Sequence, residues 1–379
     1  MAGAAILSGL ATALSRRQRR TPTELARWQR RPKPCKFGQS KLVINPCIFN
    51  GHEPARPGRL FAHPYYLVQP MHTITDDGTR LFISRIGDRD GPPLILSHGT
   101  FSNQRSCTPL ARHLAARGWQ CWLFDWRGHG SSAMPRHPYN FETIAGQDVV
   151  AILRAVEEEC GAQRPFWLGH SGGGLIASLW LARQGADCKR LAGLLLLATQ
   201  ASSTKRPWWP QWQIRLMSML LPLRQQISPR WATVASEAES SLLLRQWCRW
   251  NLRGEIRSAD GFDYLAAQGQ QSLPVLALAG GEDRFISPAD GCRQLLESFA
   301  SQDQRFVLCD LAHGFLEDYS HDRLLLSKNA KTEIWPLLAN WLEQRAALSR
   351  APDQFTPHGH GGEHFTQPGS QLLTNFDSG

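Results

Sequence analysis

The 379-residue chain has no uninterrupted apolar run of the roughly 18 residues that a membrane-crossing helix needs. It has no CxxC pair. Its nine cysteines, at 35, 47, 107, 121, 160, 188, 248, 292 and 309, are odd in number and often sit inside apolar runs. That excludes the disulfide framework of a small secreted domain and fits reduced, structural thiols in a cytosol. No internal repeat is visible, which removes solenoids and propellers. The body lacks basic–aromatic interleaving and any nucleic-acid motif, so nucleic acid is not an expected partner. Acidic residues are scarce in one place: residues 1–40 hold 1 of the 32 Asp+Glu but 9 of the 42 Lys+Arg. The remainder is nearly balanced, so the net charge of +10 belongs to an N-terminal arm centred on SRRQRR (Ser15–Arg20) and RWQRRPKPCK (Arg27–Lys36). The arm reads as a solvated, disordered leader, with peripheral contact to an anionic membrane as the open alternative. The apolar stretch MAGAAILSGLATAL precedes the arginines, whereas a secretory leader carries its charge first. The expectation is a soluble, cytoplasmic protein that at most touches a membrane through this arm.

What is present is a 42% hydrophobic composition in a pattern that alternates strand and helix. Tyr66–Thr75 and Thr79–Gly87 read as a hairpin around Asp76-Asp77-Gly78. PLILS (Pro93–Ser97), QCWLF (Gln120–Phe124), Phe166–Gly169, Leu191–Leu197 and VLALA (Val275–Ala279) are apolar without alternation, as expected of strands buried on both faces. Helical spacing lies between them at Arg105–Arg117, Phe141–Cys160 and Leu175–Arg183. It returns at Arg293–Phe299, and after a strand at Arg305–Cys309, within Lys328–Ala347. The reading is an α/β, mostly parallel, doubly wound sheet of about eight strands. The alternation stops near Thr199 for some 70 residues, too long for a simple connection. This stretch holds 6 of the 14 tryptophans, at 208, 209, 212, 231, 247 and 250. It predicts a mainly helical cap inserted between strands six and seven. The organisation is then a basic arm (1–40), a first core part (41–199), a cap (200–273), a second core part (274–347) and a disordered tail (348–379). The tail carries His358, His360 and His364, which are read as flexible surface residues and not as a metal site.

The chemistry centres on FWLGHSGGGLIASLW (Phe166–Trp180). A strand ends, Ser171 sits in a glycine-rich turn, and a helix begins. This is the G-x-S-x-G pattern: a sharp turn lifts one hydroxyl above the sheet, and the neighbours two residues away must be small. The following helix points its N-terminus at the same spot. Acyl transfer through serine also needs a base, a group that orients the base, and donors for an oxyanion. His98-Gly99-Thr100-Phe101 follows PLILS and supplies a small-residue turn. The Thr100 and Gly172 N–H groups are the expected oxyanion pair, with Phe101 as the fallback. In LCDLAHGFLEDY, His313 follows the strand Arg305–Cys309 and is the expected base. His321, in a polar acidic stretch, is the rival and reads as a surface residue. Asp283, in GGED after VLALA, is the expected orienting acid, preferred over Glu282.

These segments, HGTF, DWRGHGS (Asp125–Ser131), GHSGG, GGED and AHGF, occur in one order along the chain. In this the sequence resembles the α/β-hydrolase superfamily over about residues 60–347, in its capped serine esterase and lipase-like branch. The resemblance implies the α/β-hydrolase fold, a Ser171–Asp283–His313 triad and no metal or organic cofactor. Asp125, Arg127 and His129 are expected to hold a loop rather than to react. Substrate contacts are expected from Phe101, His170, Trp208, Trp209, Trp212 and Phe285. The substrate is then a small-molecule carboxylic ester of apolar or lipid-like character, cleaved through an acyl-enzyme. An acyltransferase with the same triad, or a catalytically silent ligand-binding member, stays open.

Overall fold

The protein is described here by a computed structural model that covers residues 68–186, 188–203, 208–228 and 236–350. The basic arm, the tail from 351 onward and Trp231 lie outside the described residues, as do the side chains of Trp208 and Trp209.

Eight strands form one sheet: β1 (Gln69–Ile74), β2 (Arg80–Ile86), β3 (Pro93–Ser97), β4 (Gln120–Phe124), β5 (Phe166–His170), β6 (Gly193–Leu197), β7 (Val275–Gly280) and β8 (Gln304–Cys309). Their spatial order is β1-β2-β4-β3-β5-β6-β7-β8. The first two strands are antiparallel to their neighbours and the rest are parallel. The hydropathy pattern decides this placement. Every residue of β3, β4, β5, β6 and β7 is buried, while β1 alternates between exposed and half-buried as an edge strand does.

Helices cover both faces. The helix α1 (Thr108–Ala115) opens with a proline in its first turn. The helix α2 (Val149–Cys160) is closed by Gly161 at φ 61°. A π-helical turn at Ile144–Asp148 precedes α2, so the expected continuous helix over Phe141–Cys160 carries a bulge. The bulge turns Asp148 inward, where its carboxylate takes the Arg127 backbone N–H (2.9 Å) and Nε (2.7 Å). Two apolar layers result, one on each side of the sheet. Trp122, Trp167, Trp180 and Trp250 belong to one and Trp119 to the other. Burying a large apolar side chain contributes roughly 1.5–3 kcal/mol, so these layers dominate the stability of the core.

Between β6 and β7 the chain forms α4 (Trp208–Leu220), a two-residue ribbon pairing Gln226–Ile227 with Glu239–Ser240, α5 (Ser241–Arg253) and α6 (Tyr264–Gln268). This mainly helical insertion falls where the alternation of the sequence stops. The helix α3 (Gly172–Ala182) begins directly after Ser171, three residues earlier than its apolar spacing suggests, because three glycines hide its first turn from a hydropathy reading.

Parallel register brings the strand ends together. Ser97 lies beside Gly169, His170 beside Leu197, Leu197 beside Leu278 and Gly280 beside Cys309. The loops that leave β3, β5, β7 and β8 therefore emerge along one edge of the sheet, the usual place for a ligand site in an open α/β sheet.

Candidate active site

Ser171 occupies φ 55°, ψ −122°, one of three non-glycine residues at positive φ among those described. Such a backbone costs of order 1–3 kcal/mol and persists only where the surroundings impose it. Here its N–H donates to Leu197 O (2.7 Å), and its carbonyl accepts from Thr199 Oγ1 (3.1 Å). The flanking glycines leave room for the turn. A Cβ on Gly169 would lie 2.1 Å from Gly174 N, and one on Gly173 would lie 2.4 Å from Ser97 O. A side chain at either position would collide with backbone that cannot move aside.

Asp283 and the more exposed Glu282 leave β7 together, and the turn sends Asp283 inward, to 5% exposure. One carboxylate oxygen accepts the N–H groups of Ile286 (3.2 Å) and Ser287 (3.0 Å). The other accepts Nδ1–H of His321 at 2.5 Å. Burial by itself would raise the Asp283 carboxyl, but His321 and the two amides hold it below the usual carboxylate range. Burial would likewise depress His321, and Asp283 overrides it and lifts the imidazole above its usual 6.5.

The geometry does not bring the expected base, His313, to Asp283. His313 lies in a short helical turn, Leu311–His313, with its side chain 57% exposed, and it bonds Asp310 (2.6 Å) instead of Asp283. The loop after β8 runs outward over this turn and then re-enters the body at Tyr319. There Tyr319 N–H bonds Cys309 O (3.2 Å), and its carbonyl accepts Glu282 N–H (3.0 Å). Gly280 permits that approach, since a Cβ there would lie 2.2 Å from Tyr319 O. His321 follows two residues later. It packs against the residue before the serine: the His170 and His321 ring centroids are 4.9 Å apart, and His170 Nε2–H donates to the His321 carbonyl (3.1 Å). The acidic run LEDYSHD had suggested a surface segment. The signal that points the other way is Tyr319, an aromatic in the middle of the run that is fully buried.

Thr100, Phe101, Ser171 and Gly172 line one cavity. The Phe101 N–H donates to Glu239 Oε2 (3.2 Å), so the expected fallback oxyanion donor is already committed. His98 shapes the turn: its Nδ1–H donates to Gly99 O (2.8 Å), and its Nε2 accepts Trp126 N–H (3.2 Å). Burial and the nearby His129 hold it well below the usual imidazole range, in the neutral form this bonding requires. Asp125 accepts Gln104 N–H (2.8 Å) and Ser131 N–H (2.9 Å), and Arg127 lies between Asp148 and Asp77. These are loop-holding contacts.

The rest of the cavity wall is mostly apolar, with Leu175, Met217, Leu221, Leu244, Trp247 and Phe285 among its residues and Gln200 and Ser287 as polar members. Phe101 and Phe285 stand where substrate contacts were expected. Two other expected contacts do not. His170 is buried beneath the elbow, bonded to His321, and Trp212 faces outward at 48% exposure; neither lines this cavity. Helical phase explains Trp212, because Met217 lies five positions along α4 and turns to the opposite side. Trp247 on α5 takes the aromatic place instead.

Among the described residues, His170, His321 and Asp322 bring three potential metal-ligating atoms within 4.8 Å of one another. His170 Nε2 and His321 Nδ1 are already engaged in hydrogen bonds. Burial and then His321 lower His170 to about 4, so it is neutral at physiological pH. Among the described residues no helix is long and apolar enough to cross a membrane.

Comparison with known proteins agrees with this architecture. A family profile described as "Serine aminopeptidase, S33" matches residues 92–319. The AB hydrolase superfamily protein YisY of Bacillus subtilis is 30% identical over 258 residues, which cover 63% of this chain and 91% of that protein. Human monoglyceride lipase is 24% identical over 290 residues, 73% of this chain and 91% of the lipase. An esterase from Exiguobacterium antarcticum superposes with a TM-score of 0.54 at 17% identity, covering 73% of this chain and all of the esterase. The chain belongs to the S33 serine aminopeptidase family, within the esterase- and lipase-like part of the α/β-hydrolase superfamily.

Proposed function

We propose that this α/β-hydrolase cleaves carboxylic esters with an apolar acyl or alcohol part, using Ser171 as nucleophile, His321 as base and Asp283 as the orienting acid. The observation that carries the proposal is the presence, on one sheet edge, of a serine in a strained turn and a histidine–aspartate pair largely shielded from water. Asp283 fixes the His321 tautomer with Nδ1 protonated, which leaves Nε2 as the basic nitrogen. His321 takes the proton as Ser171 Oγ attacks the ester carbonyl carbon. The Thr100 and Gly172 N–H groups, beside the N-terminus of α3, stabilise the oxyanion. Collapse of the tetrahedral intermediate breaks the bond to the alcohol oxygen, which leaves with the proton held by His321. Water, deprotonated by the same histidine, then attacks the acyl-enzyme and releases the acid.

The apolar wall supports the substrate class. Burying a methylene contributes about 0.8 kcal/mol, whereas charged or sugar groups would lose hydration there with few polar side chains to replace it. The experiment is labelling with a fluorophosphonate probe, wild type against Ser171→Ala, followed by rates on p-nitrophenyl esters from acetate to palmitate. Labelling that depends on Ser171, with a preference for acyl chains longer than acetate, is the expected result. A folded wild type that stays unlabelled would refute the nucleophile. A flat chain-length profile would refute the apolar acyl pocket.

A further inference from the structure

We infer that Glu239 is a positioning residue for the oxyanion turn and that it couples the inserted segment to catalysis. This rests on the ester-hydrolase reading of the site above. Glu239 is a fully buried acid. A buried carboxylate is costly unless its oxygens are engaged, and the triad makes no use of this one. One of its partners lies on the turn that follows β3. Oε2 accepts the N–H of Phe101 at 3.2 Å, and Oε1 accepts the N–H of Ser240 at 2.8 Å. His129 Nε2 lies 3.3 Å from Oε2, a charge contact rather than an aligned hydrogen bond. Burial would depress His129, and Glu239 raises it above the usual imidazole range.

Phe101 needs this support. It is another of the non-glycine residues at positive φ, at 59°. Both polar groups of its backbone are held by the inserted segment: Glu239 takes its N–H, while Ser236 N–H (2.9 Å) and Glu237 N–H (3.1 Å) donate to its carbonyl. Asn103 Nδ2 adds a bond to Glu237 Oε1 at 2.6 Å. The opposite end of the turn is held by the core through His98, whose Nε2 accepts the Trp126 N–H at 3.2 Å. Thr100, whose N–H is assigned to the oxyanion, sits between these two clamps. The Glu239 clamp therefore sets the direction of an N–H that it does not touch. A mis-aimed donor lowers the rate without weakening ground-state binding, because the oxyanion forms only in the transition state.

The test compares Glu239→Ala, Glu239→Gln and Glu239→Asp with wild type on a short p-nitrophenyl ester, alongside fluorophosphonate labelling and thermal unfolding. Glu239→Ala is expected to lower kcat about 10- to 100-fold with KM within about threefold. Glu239→Gln, which keeps the length and an acceptor for Phe101, should recover most of that loss. Glu239→Asp, one methylene shorter, should not. If Glu239→Gln, the isosteric variant least prone to misfold, lost as much kcat as the alanine variant, the assigned bond would be overturned. So it would be by an unchanged kcat in every variant, or by a change confined to KM. A folded wild type that is not labelled at Ser171 would overturn the ester-hydrolase reading itself; labelling with an unchanged Glu239→Ala kcat would overturn this inference alone.

Discussion

The loop after β8 carries the histidines of two histidine–aspartate pairs of nearly equal length, and the pairs differ in almost everything else. His313 and Asp310 are three residues apart, with an exposed imidazole, and their contact of 2.6 Å closes one helical turn. His321 and Asp283 come from different segments, are mostly hidden from water, and meet at 2.5 Å across the ends of two strands. An exposed pair of the first kind is screened by water and contributes roughly 0–1 kcal/mol. The second lies where the ends of two strands meet, and water is largely kept from it. Distance alone does not separate the two pairs. The separation comes from which secondary structure each partner is attached to, and from how far water is kept from the bond.

Exchanging the two histidines gives the largest expected contrast. His321→Ala should lower kcat about 10⁴-fold or more, the scale seen when a triad base is removed. His313→Ala should leave kcat within about twofold. Steady-state rates on one p-nitrophenyl ester decide it, and equal losses in the two variants would remove the distinction between the pairs.

The two aspartates sharpen it next. Asp283→Asn should lower kcat about 10³- to 10⁴-fold, because the amide no longer enforces the protonated Nδ1. It should also move the acid limb of the kcat/KM profile. Base catalysis needs neutral His321, and Asp283 raises its pKa. In wild type the activity therefore falls, as pH drops, through a value above the ordinary 6.5, and without the carboxylate that limb shifts to lower pH. Asp310→Asn should leave the limb in place.

The same contrast marks what was legible in the sequence. The strands PLILS, QCWLF and VLALA declare themselves because burial on both faces leaves no polar position. Ser171 is legible because an elbow demands small residues at fixed offsets, and Asp283 because it leaves an apolar strand within a glycine-rich turn. The histidine was not legible by that logic. His313 follows its strand closely and precedes a glycine, as an active-site residue would. His321 becomes visible only once Tyr319 is known to return to the sheet edge, and that is a tertiary event. The phase of α4 was hidden for a similar reason: its tryptophans draw attention, yet Met217 and the following turn at Leu221 face the cavity. Glu239 carries no local signal, since an acid in a polar stretch ordinarily stays in water.

Two glycines test the smaller energies behind this difference. Gly280→Ala places a Cβ 2.2 Å from Tyr319 O, at the point where the outward loop returns. Overpacking against backbone should cost about 1–3 kcal/mol. By displacing Tyr319 it should also lower kcat by more than the loss of folded protein explains. Chemical denaturation and active-site titration measured on the same sample separate the two contributions.

Gly314→Ala is the counterpart beside His313. No neighbouring atom lies within 4 Å of a Cβ built there, but φ is 85°, a conformation that costs an L-residue about 1–2 kcal/mol. The strain can relax into the exposed loop, so the measured loss of stability should lie at or below the lower figure, with kcat unchanged. A fall in kcat for Gly314→Ala would mean that the outward turn and the returning segment move as one unit. The two histidine–aspartate pairs would then be coupled through the loop, despite having no bond in common. Unchanged kcat with a small loss of stability would place the boundary between support and surface within the residues from Gly314 to Tyr319.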